Sequence, residues 1–246
     1  LASLGGQLIV GPVTGYVDLS RRVRLVDQAE NSLRRMQRDI RQALPNSIRI
    51  TNSGRTLELL LTAAGGRYRQ YVDSGGNGDI LDFSKADNSF DVLGDLTNAP
   101  TAGQNIVIYN IASTGNSGNA YHPSASNIAS VGSGSSQNHI NLSPPKKFKN
   151  SSPYQRFFIL DGPVTYSCES GVLNRYNGYA IGDSPTPGTG DLVTRNIEQV
   201  AGNDNCLFTF DPGTTQRGGL VTAEISLEES GEKIHLLQQV HVVNTP

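Results

Sequence analysis

Apolar residues recur at every third or fourth position over the first part of the chain, which is the periodicity of a one-faced amphipathic helix. The Gly-Pro dipeptide at 11–12 disfavours extension of this helix towards the N-terminus, and Pro45 ends the helix at its other end. The pattern therefore predicts one helix from about Val13 to Leu44. Its apolar stripe consists of Tyr16, Leu19, Val23, Val26, Ala29, Leu33, Met36, Ile40 and Leu44.

After Pro45 the pattern changes to short alternating runs separated by Gly, Ser, Asn and Thr, which is typical of β-strands and turns. The runs 47–52 and 56–63, and the runs 219–229 and 232–243, each predict a β-hairpin. Further strand-like runs lie at 66–73, 80–83, 106–111, 155–160, 163–169, 171–176, 192–197 and 205–210. We predict an α+β fold in which the helix packs on an antiparallel β-sandwich or curled β-sheet.

The domain organisation follows from the same patterns. Residues 1–44 form the helical part and residues 45–246 a β-rich globular domain. The segment from about 97 to 150 is dominated by Asn, Ser, Gly, Ala and Thr. Because such a segment can bury little apolar surface, we predict a long surface excursion, whose part 112–138 is a candidate partner-facing surface.

Charge and cysteine content narrow the class of protein. The net charge of −2 gives no electrostatic case for nucleic acid as a partner. The chain has two cysteines, Cys168 and Cys206, without zinc-site spacing. They predict one disulfide in an oxidising compartment, and the alternative is two buried free thiols. Such a disulfide contributes about 4 kcal/mol in the chain-entropy account.

The polar face of the helix carries seven arginines. They are Arg21, Arg22, Arg24, Arg34, Arg35, Arg38 and Arg41. We interpret them as a solvated face with local ion pairs, such as Asp18–Arg22 and Glu30–Arg34. Two alternatives are a phosphate-binding stripe and contacts with acidic faces of neighbouring subunits.

No set of residues in the sequence has the pattern of a catalytic site, so we predict a protein that is not an enzyme and has no catalytic residues. There is no Gly-x-Ser-x-Gly motif. His122 and His139 lie in the segment of small residues. His235 and His241 share a strand but are about 20 Å apart along it, too far to bind one metal ion.

Two weaker binding alternatives remain open in the sequence. The loop with Asp73, Asn77, Asp79 and Asp82 has oxygen ligands of the kind that calcium prefers, although Asx and Gly also form ordinary turns. We favour the turn and predict no cofactor, with calcium as the alternative. The two tyrosines at 176 and 179 could form a sugar-stacking platform or a strand end.

The uncharged residues 1–15 are too few and too rich in Gly to span a membrane alone. We expect them to be the end of a longer hydrophobic segment, and the alternative is a flexible apolar leader. The following stretch, GYVDLSRRVRLVDQAENSLRRMQRDIRQALPNSIRI (15–50), resembles the N-terminal region of type IV pilin-like proteins. Within that class the chain resembles minor pilins of the MSHA pilus, the MshO-like group.

Other stretches carry the same resemblance, which covers somewhat over half of the chain. They are AAGGRYRQYVD (63–73), ILDF (80–83) with SFDVLGDL (89–96), FILDGPVTYSCESGVLNRYNGY (158–179) and LLQQVHVVNTP (236–246). The family's cleavage site, its N-terminal glutamate and most of its hydrophobic segment have no counterpart here. The resemblance therefore implies that these features precede residue 1.

The resemblance implies a pilin-like fold and a minor pilin of a Gram-negative bacterium that acts in pilus assembly, initiation or surface attachment. Its partners would be other minor and major pilins. It would be anchored in the inner membrane, with a periplasmic domain, before it enters the pilus. The assembly surface would be the helix stripe with Tyr16, Leu19, Val23, Val26, Leu33, Met36 and Ile40. Alternatives are a J-type minor pseudopilin of type II secretion and an anchored periplasmic carbohydrate-binding module; a glycan or surface ligand is a further possible partner.

Overall fold

The computed structural model describes residues 2–115, 118–182, 188–213 and 218–243, with side chains from Gly15 onwards. The long helix α1 spans Ala2–Arg41. It begins earlier than the predicted Val13 and contains Pro12. A proline inside a helix removes one backbone hydrogen bond, and the helix can continue on both sides of it. The chain leaves the helix just before Pro45, close to the predicted end.

Short strands make up most of the remaining ordered elements. A 3-10 turn, Asn52–Gly54, separates the first two strands. In chain order the strands are β1 (Arg49–Thr51), β2 (Thr56–Arg67), β3 (Asp87–Asp91), β4 (Asn105–Ile108), β5 (Ile128–Ser130), β6 (His139–Lys146), β7 (Arg156–Glu169), β8 (Val172–Asn177), β9 (Asp191–Thr194), β10 (Gln199–Val200), β11 (Asn203–Asp204), β12 (Cys206–Asp211), β13 (Gly219–Glu229) and β14 (Glu232–Val242).

The longest strand, β7, organises the largest sheet. One of its edges pairs with β2, while its other edge pairs first with β4 and then with β8. With β1, β5 and β9 these strands form a seven-stranded antiparallel sheet. A three-stranded sheet has the order β12-β13-β14, and β3-β6 and β10-β11 form two-stranded sheets.

Both predicted hairpins are confirmed. β1 pairs with β2, and β13 pairs with β14 over its whole length. The turn between β13 and β14 places Ser230 and Gly231 at φ values of 52° and 84°. Positive φ at both central residues is what a type I′ hairpin turn requires.

The predicted α+β, pilin-like fold class is wrong. Among the residues with described side chains, 44% lie in strands and 14% are helical, so the protein is mainly β. Its strands form several sheets and do not build one sandwich or curled sheet beneath the helix. The reason is that many short strands pair with strands far away in the sequence, which local periodicity does not reveal.

The first hydrophobic core joins the helix to both larger sheets. From α1 it includes Leu25, Ala29, Leu33, Met36 and Ile40, all buried. β2, β7 and β8 cover this stripe from the seven-stranded sheet, and β12, β13 and β14 from the three-stranded sheet. The lower part of the helix is thereby fixed to the β body.

A second core lies away from the helix and uses the segment 97–150. Phe90 and Phe157 meet edge to face at its centre, with ring centroids 5.4 Å apart. The segment contributes β4, β5 and β6 and the buried side chains Ile106, Val131 and Ile140. Its structure therefore differs from the predicted surface excursion, because the few apolar side chains of the segment are buried by the short strands, those of Ile106 and Ile108 in this core and that of Val107 on the opposite face of β4.

Candidate functional site

The apolar stripe of α1 divides into an exposed upper part and a buried lower part. Tyr16, Leu19 and Val23 are 73%, 62% and 53% exposed. Leu25 is completely buried and Val26 is half-buried. Leu33, Met36 and Ile40 lie in the first core, and Leu44 is buried in a separate apolar cluster. The structure therefore leaves three of the seven predicted assembly residues free for contact with a partner.

The division falls where the β body ends. Arg22 binds Glu232 at 2.8 Å and Arg24 binds Glu229 at 2.7 Å, so the turn between β13 and β14 reaches this level of the helix. Above it, residues 15–20 of the helix are all exposed. No helix in the described part of the chain combines the length and the apolar character that crossing a membrane requires.

The helix arginines make the short-range ion pairs expected of a solvated face, with one change of partner. Glu30 binds Arg34 at 3.0 Å, as predicted. Asp18 binds Arg21 at 2.9 Å in place of the predicted Arg22, because Arg22 reaches the body. Two of the arginines thus attach the helix to the three-stranded sheet.

A buried polar cluster fixes the last turns of the helix to the seven-stranded sheet. Tyr166 on β7 and Arg175 on β8 are directly opposite each other in the register. The Tyr166 hydroxyl and Arg175 Nε both donate to Asp39 Oδ2, each at 2.8 Å. Because a cross-strand pair converges on one helix carboxylate, the direction of the helix relative to the sheet is set at this point.

The environment favours the hydrogen-bonding forms of Tyr166 and Arg175. Burial raises the pKa of the Tyr166 phenol well above its usual range, and the Asp39 charge adds to the shift. Burial acts to lower the pKa of Arg175, but the hydrogen bond and charge of Asp39 outweigh it and raise that pKa. Tyr166 is therefore a hydrogen-bond donor and Arg175 a cation near neutral pH.

This cluster was not predicted from the sequence. Asp39 stands between Arg38 and Ile40, at the border of the apolar stripe. A carboxylate at that border was a usable signal, because such a position is covered by the body and a buried charge needs a partner. Its partners lie 127 and 136 residues away, which no local pattern indicates.

The predicted disulfide is confirmed, since Cys168 and Cys206 are bonded. Both are buried in the first core. The bond joins β7 to β12 and therefore links the seven-stranded sheet to the three-stranded sheet, on both of which the helix packs.

The three carboxylates among the four predicted calcium ligands, those of Asp73, Asp79 and Asp82, accept separate local hydrogen bonds. Asp73 accepts two backbone N–H bonds within its loop, including that of Asn77 at 2.8 Å. Asp82 accepts the N–H and hydroxyl of the residue two positions along, and Asp79 accepts the Ser89 hydroxyl. In the described part of the chain, no three His, Cys, Asp or Glu side chains converge to hold a metal ion. These contacts form turns and give the calcium alternative no support.

One histidine lies in a cluster with serine and aspartate. His139 Nδ1 is 2.9 Å from Asp91 Oδ1, and its Nε2 is 4.0 Å from Asp79 Oδ2. In a Ser-His-Asp triad the serine hydroxyl donates its hydrogen bond to the histidine ring. Ser89 donates instead to the Asp79 carboxylate. The cluster ties β3, β6 and the preceding loop together. The absence of catalytic residues stays a prediction.

The other histidines are separate from this cluster. His235 and His241 lie in the outward-facing row of β14, where His235 bonds Ser226 of the neighbouring strand at 2.9 Å. His122 accepts the Ser124 N–H at 3.1 Å. The structure brings none of these three together.

The tyrosine pair considered as a sugar platform is engaged within the protein. The backbone of Gly190 lies so close to the Tyr176 ring that a Cβ there would be 2.6 Å from it. The Tyr179 hydroxyl donates to buried Glu58 at 2.9 Å, and Glu58 also binds Arg49. These contacts do not favour a carbohydrate-binding role for the pair.

Comparison of the chain with protein-family models, characterised proteins and solved structures gave no significant match.

Proposed function

We propose that this chain is a minor subunit of a type IV pilus of the MSHA type, which takes part in pilus assembly through protein–protein contacts. The observation that carries the proposal is the exposed apolar stripe on a helix that extends beyond a disulfide-linked β body. The sequence resemblance to the MshO-like minor pilins supports the same function. The subunit would be held in the inner membrane with its β body in the periplasm of a Gram-negative bacterium before it joins the filament.

The spacing of the exposed stripe favours another helix as the contact partner. Tyr16, Leu19, Val23 and Val26 follow the alternating three- and four-residue steps of a heptad seam. An apolar seam in water is stabilised when a second helix with a similar seam covers it. The buried remainder of the stripe and the Asp39 cluster hold this seam in a fixed direction from the body. The helix of a neighbouring subunit, running in the same direction, is the proposed partner.

The test replaces Leu19 and Val23 with Asp in a strain from which the wild-type gene has been deleted. Surface pili are counted by electron microscopy. We expect the deletion to lose pili, the wild-type gene to restore them, and the double variant to fail. The matched control places the same two charges on the adjacent flank, as Val17→Asp with Ser20→Asp, and should restore pili.

A folding measurement separates assembly from stability. The purified double variant should unfold within about 0.5 kcal/mol of wild type, because both side chains are exposed. Leu33→Ala, in the buried part of the stripe, should lose about 2–5 kcal/mol. Unfolding of the double variant, or normal piliation with it, contradicts the proposal. Normal pili combined with lost protein secretion in the deletion strain would favour the J-type pseudopilin.

A further inference from the structure

Several edge strands within the described residues are protected in different ways. In the seven-stranded sheet the outer strands β1, β5 and β9 have only three or four residues each. The edge of β12 lies against the 3-10 turn at Asn52–Gly54, and β6 contains Pro144 and Pro145. Short length, covering elements and prolines are the usual devices against unwanted strand pairing. β14 has 11 residues and no proline, and a groove separates its free edge from α1.

The backbone of β14 is paired on one side only. Its residues pair with β13 from Glu232 to Val242 without a register shift. Among the described residues its backbone makes no hydrogen bond to any other element. Every second residue of such a strand directs its N–H and C=O groups away from the partner strand. From Ile234 to Val243 the sequence contains no Pro, Lys, Arg, Asp or Glu.

A groove runs along this free edge. It has a volume of about 290 Å³ and lies between α1 and β14. Successive residues of a strand point to opposite faces, yet both Leu236 and Leu237 line the groove, so it follows the strand edge itself. Glu30, Leu33 and Arg34 form its other wall.

We propose that the free edge of β14 receives an extended strand of another polypeptide, which adds to the three-stranded sheet and fills this groove. A row of unpaired N–H and C=O groups is the chemistry that recognises an extended peptide, and side-chain pockets beside it add specificity. The groove supplies such a pocket between Leu33 and Leu236. Glu30 and Arg34 continue the helical flank that carries Leu19 above them.

A second copy of this chain is a poorer occupant, an argument that rests on the proposed function. The N-terminal part of α1 meets Glu232 and its last turn lines a pocket with Val243, so helix and strand run in the same direction. Two copies paired symmetrically through β14 would be antiparallel, and their helices would point in opposite directions. Subunits whose helices are bundled in one direction cannot pair in that way.

The charge beside the groove favours an acidic strand. The helix flank contributes Glu30, Arg34 and Arg41, and the first two form an exposed pair. Arg41 leaves a positive excess at the lower end of the edge. We therefore expect a strand in which carboxylates alternate with β-branched apolar residues.

The test uses the intact, isotope-labelled chain and the acetylated, amidated octapeptide EVTVEVTV as the probe, observed by nuclear magnetic resonance. Addition of the peptide should shift the amide signals of β14 and of Glu30–Arg34, while signals of β12, the opposite edge, stay in place. The same peptide N-methylated at its central residues should cause no shift, because it cannot pair through its backbone. KVTVKVTV should bind more weakly than EVTVEVTV.

Variants and self-association give the decisive outcomes. Arg34→Glu should weaken binding of EVTVEVTV by at least about threefold, whereas Arg195→Glu, which lines a different pocket, should not change it. Absence of β14 shifts, or equal shifts from the N-methylated peptide, would overturn the proposal. A dimer in light scattering that Leu237→Lys dissolves, while Leu207→Lys on β12 leaves it intact, would identify a second copy as the occupant and also overturn it. None of these measurements involves Leu19 or Val23, so failure here is distinct from failure of the proposed function.

Discussion

Removing the Asp39 carboxylate should loosen the attachment of the helix more than any change on its exposed face. In Asp39→Ala, Arg175 keeps a charge that is almost fully buried, and the Tyr166 hydroxyl loses its acceptor. Arg175 cannot escape by losing its proton, because a guanidinium stays protonated near neutral pH. The cost is therefore that of a broken buried pair and not that of a surface ion pair.

The magnitude follows from the burial of the partners. Loss of one member of a buried ion pair costs about 3–5 kcal/mol, and we expect about 3 kcal/mol because the Asp39 side chain retains 14% of its exposure. Tyr166→Phe removes one hydrogen bond to a charged acceptor and should cost about 1.5 kcal/mol. Arg175→Met should cost about as much as Asp39→Ala. The double variant should cost much less than the sum, because it leaves no unpaired charge.

Urea unfolding followed by far-ultraviolet circular dichroism gives these free energies without a tryptophan probe, which the chain lacks. The control is Glu30→Ala, which removes an exposed ion pair on the same helix and should cost less than about 0.5 kcal/mol. If Asp39→Ala costs no more than this control, the cluster does not anchor the helix. Strict additivity of the Asp39 and Arg175 changes would also refute the reasoning.

Two further predictions concern the β body. Replacing Cys168 and Cys206 with Ala should lower the free energy of unfolding by up to about 4 kcal/mol, since the bond closes a loop with a sequence separation of 38; an unchanged urea midpoint would contradict it. Burial acts to raise the pKa of Asp91, but hydrogen bonding to His139 and the charge of Arg69 help lower it below the ordinary 3.8. This carboxylate therefore stabilises the protein above pH 3.8 and loses its effect as the pH falls through its folded-state pKa. The difference in unfolding free energy between wild type and Asp91→Asn should shrink on going from about pH 7 to about pH 3; a constant difference would contradict this.

Local patterns in the sequence were sufficient for the elements that are stabilised by near neighbours. The three- and four-residue steps from Tyr16 to Ile40 predicted the helix, since its hydrogen bonds and its apolar face both follow that period. Alternation around Ser230 and Gly231 predicted the final hairpin, because its turn and both strands are contiguous. The two cysteines predicted their own bond because the chain has no others.

Only the tertiary structure decided which part of the helix stripe is available to a partner. Leu19 and Leu33 occupy equivalent positions in the apolar repeat of the helix, yet Leu19 is exposed and Leu33 is buried. The difference arises from the turn at Ser230–Gly231, which ends the body at the level of Arg22. The position of that turn depends on strand pairings that span most of the chain.

The fold class and the anchoring cluster were beyond the sequence for the same physical reason. The second core forms because β7 pairs with β2 and β4. The sequence of a strand does not indicate which other strand will pair with its edge. Asp39 acquires its role only when the helix packs on this sheet, where Tyr166 of β7 lies opposite Arg175 of β8. Helix periodicity is a property of neighbouring residues, whereas sheet order and the burial of a charge are properties of the assembled chain.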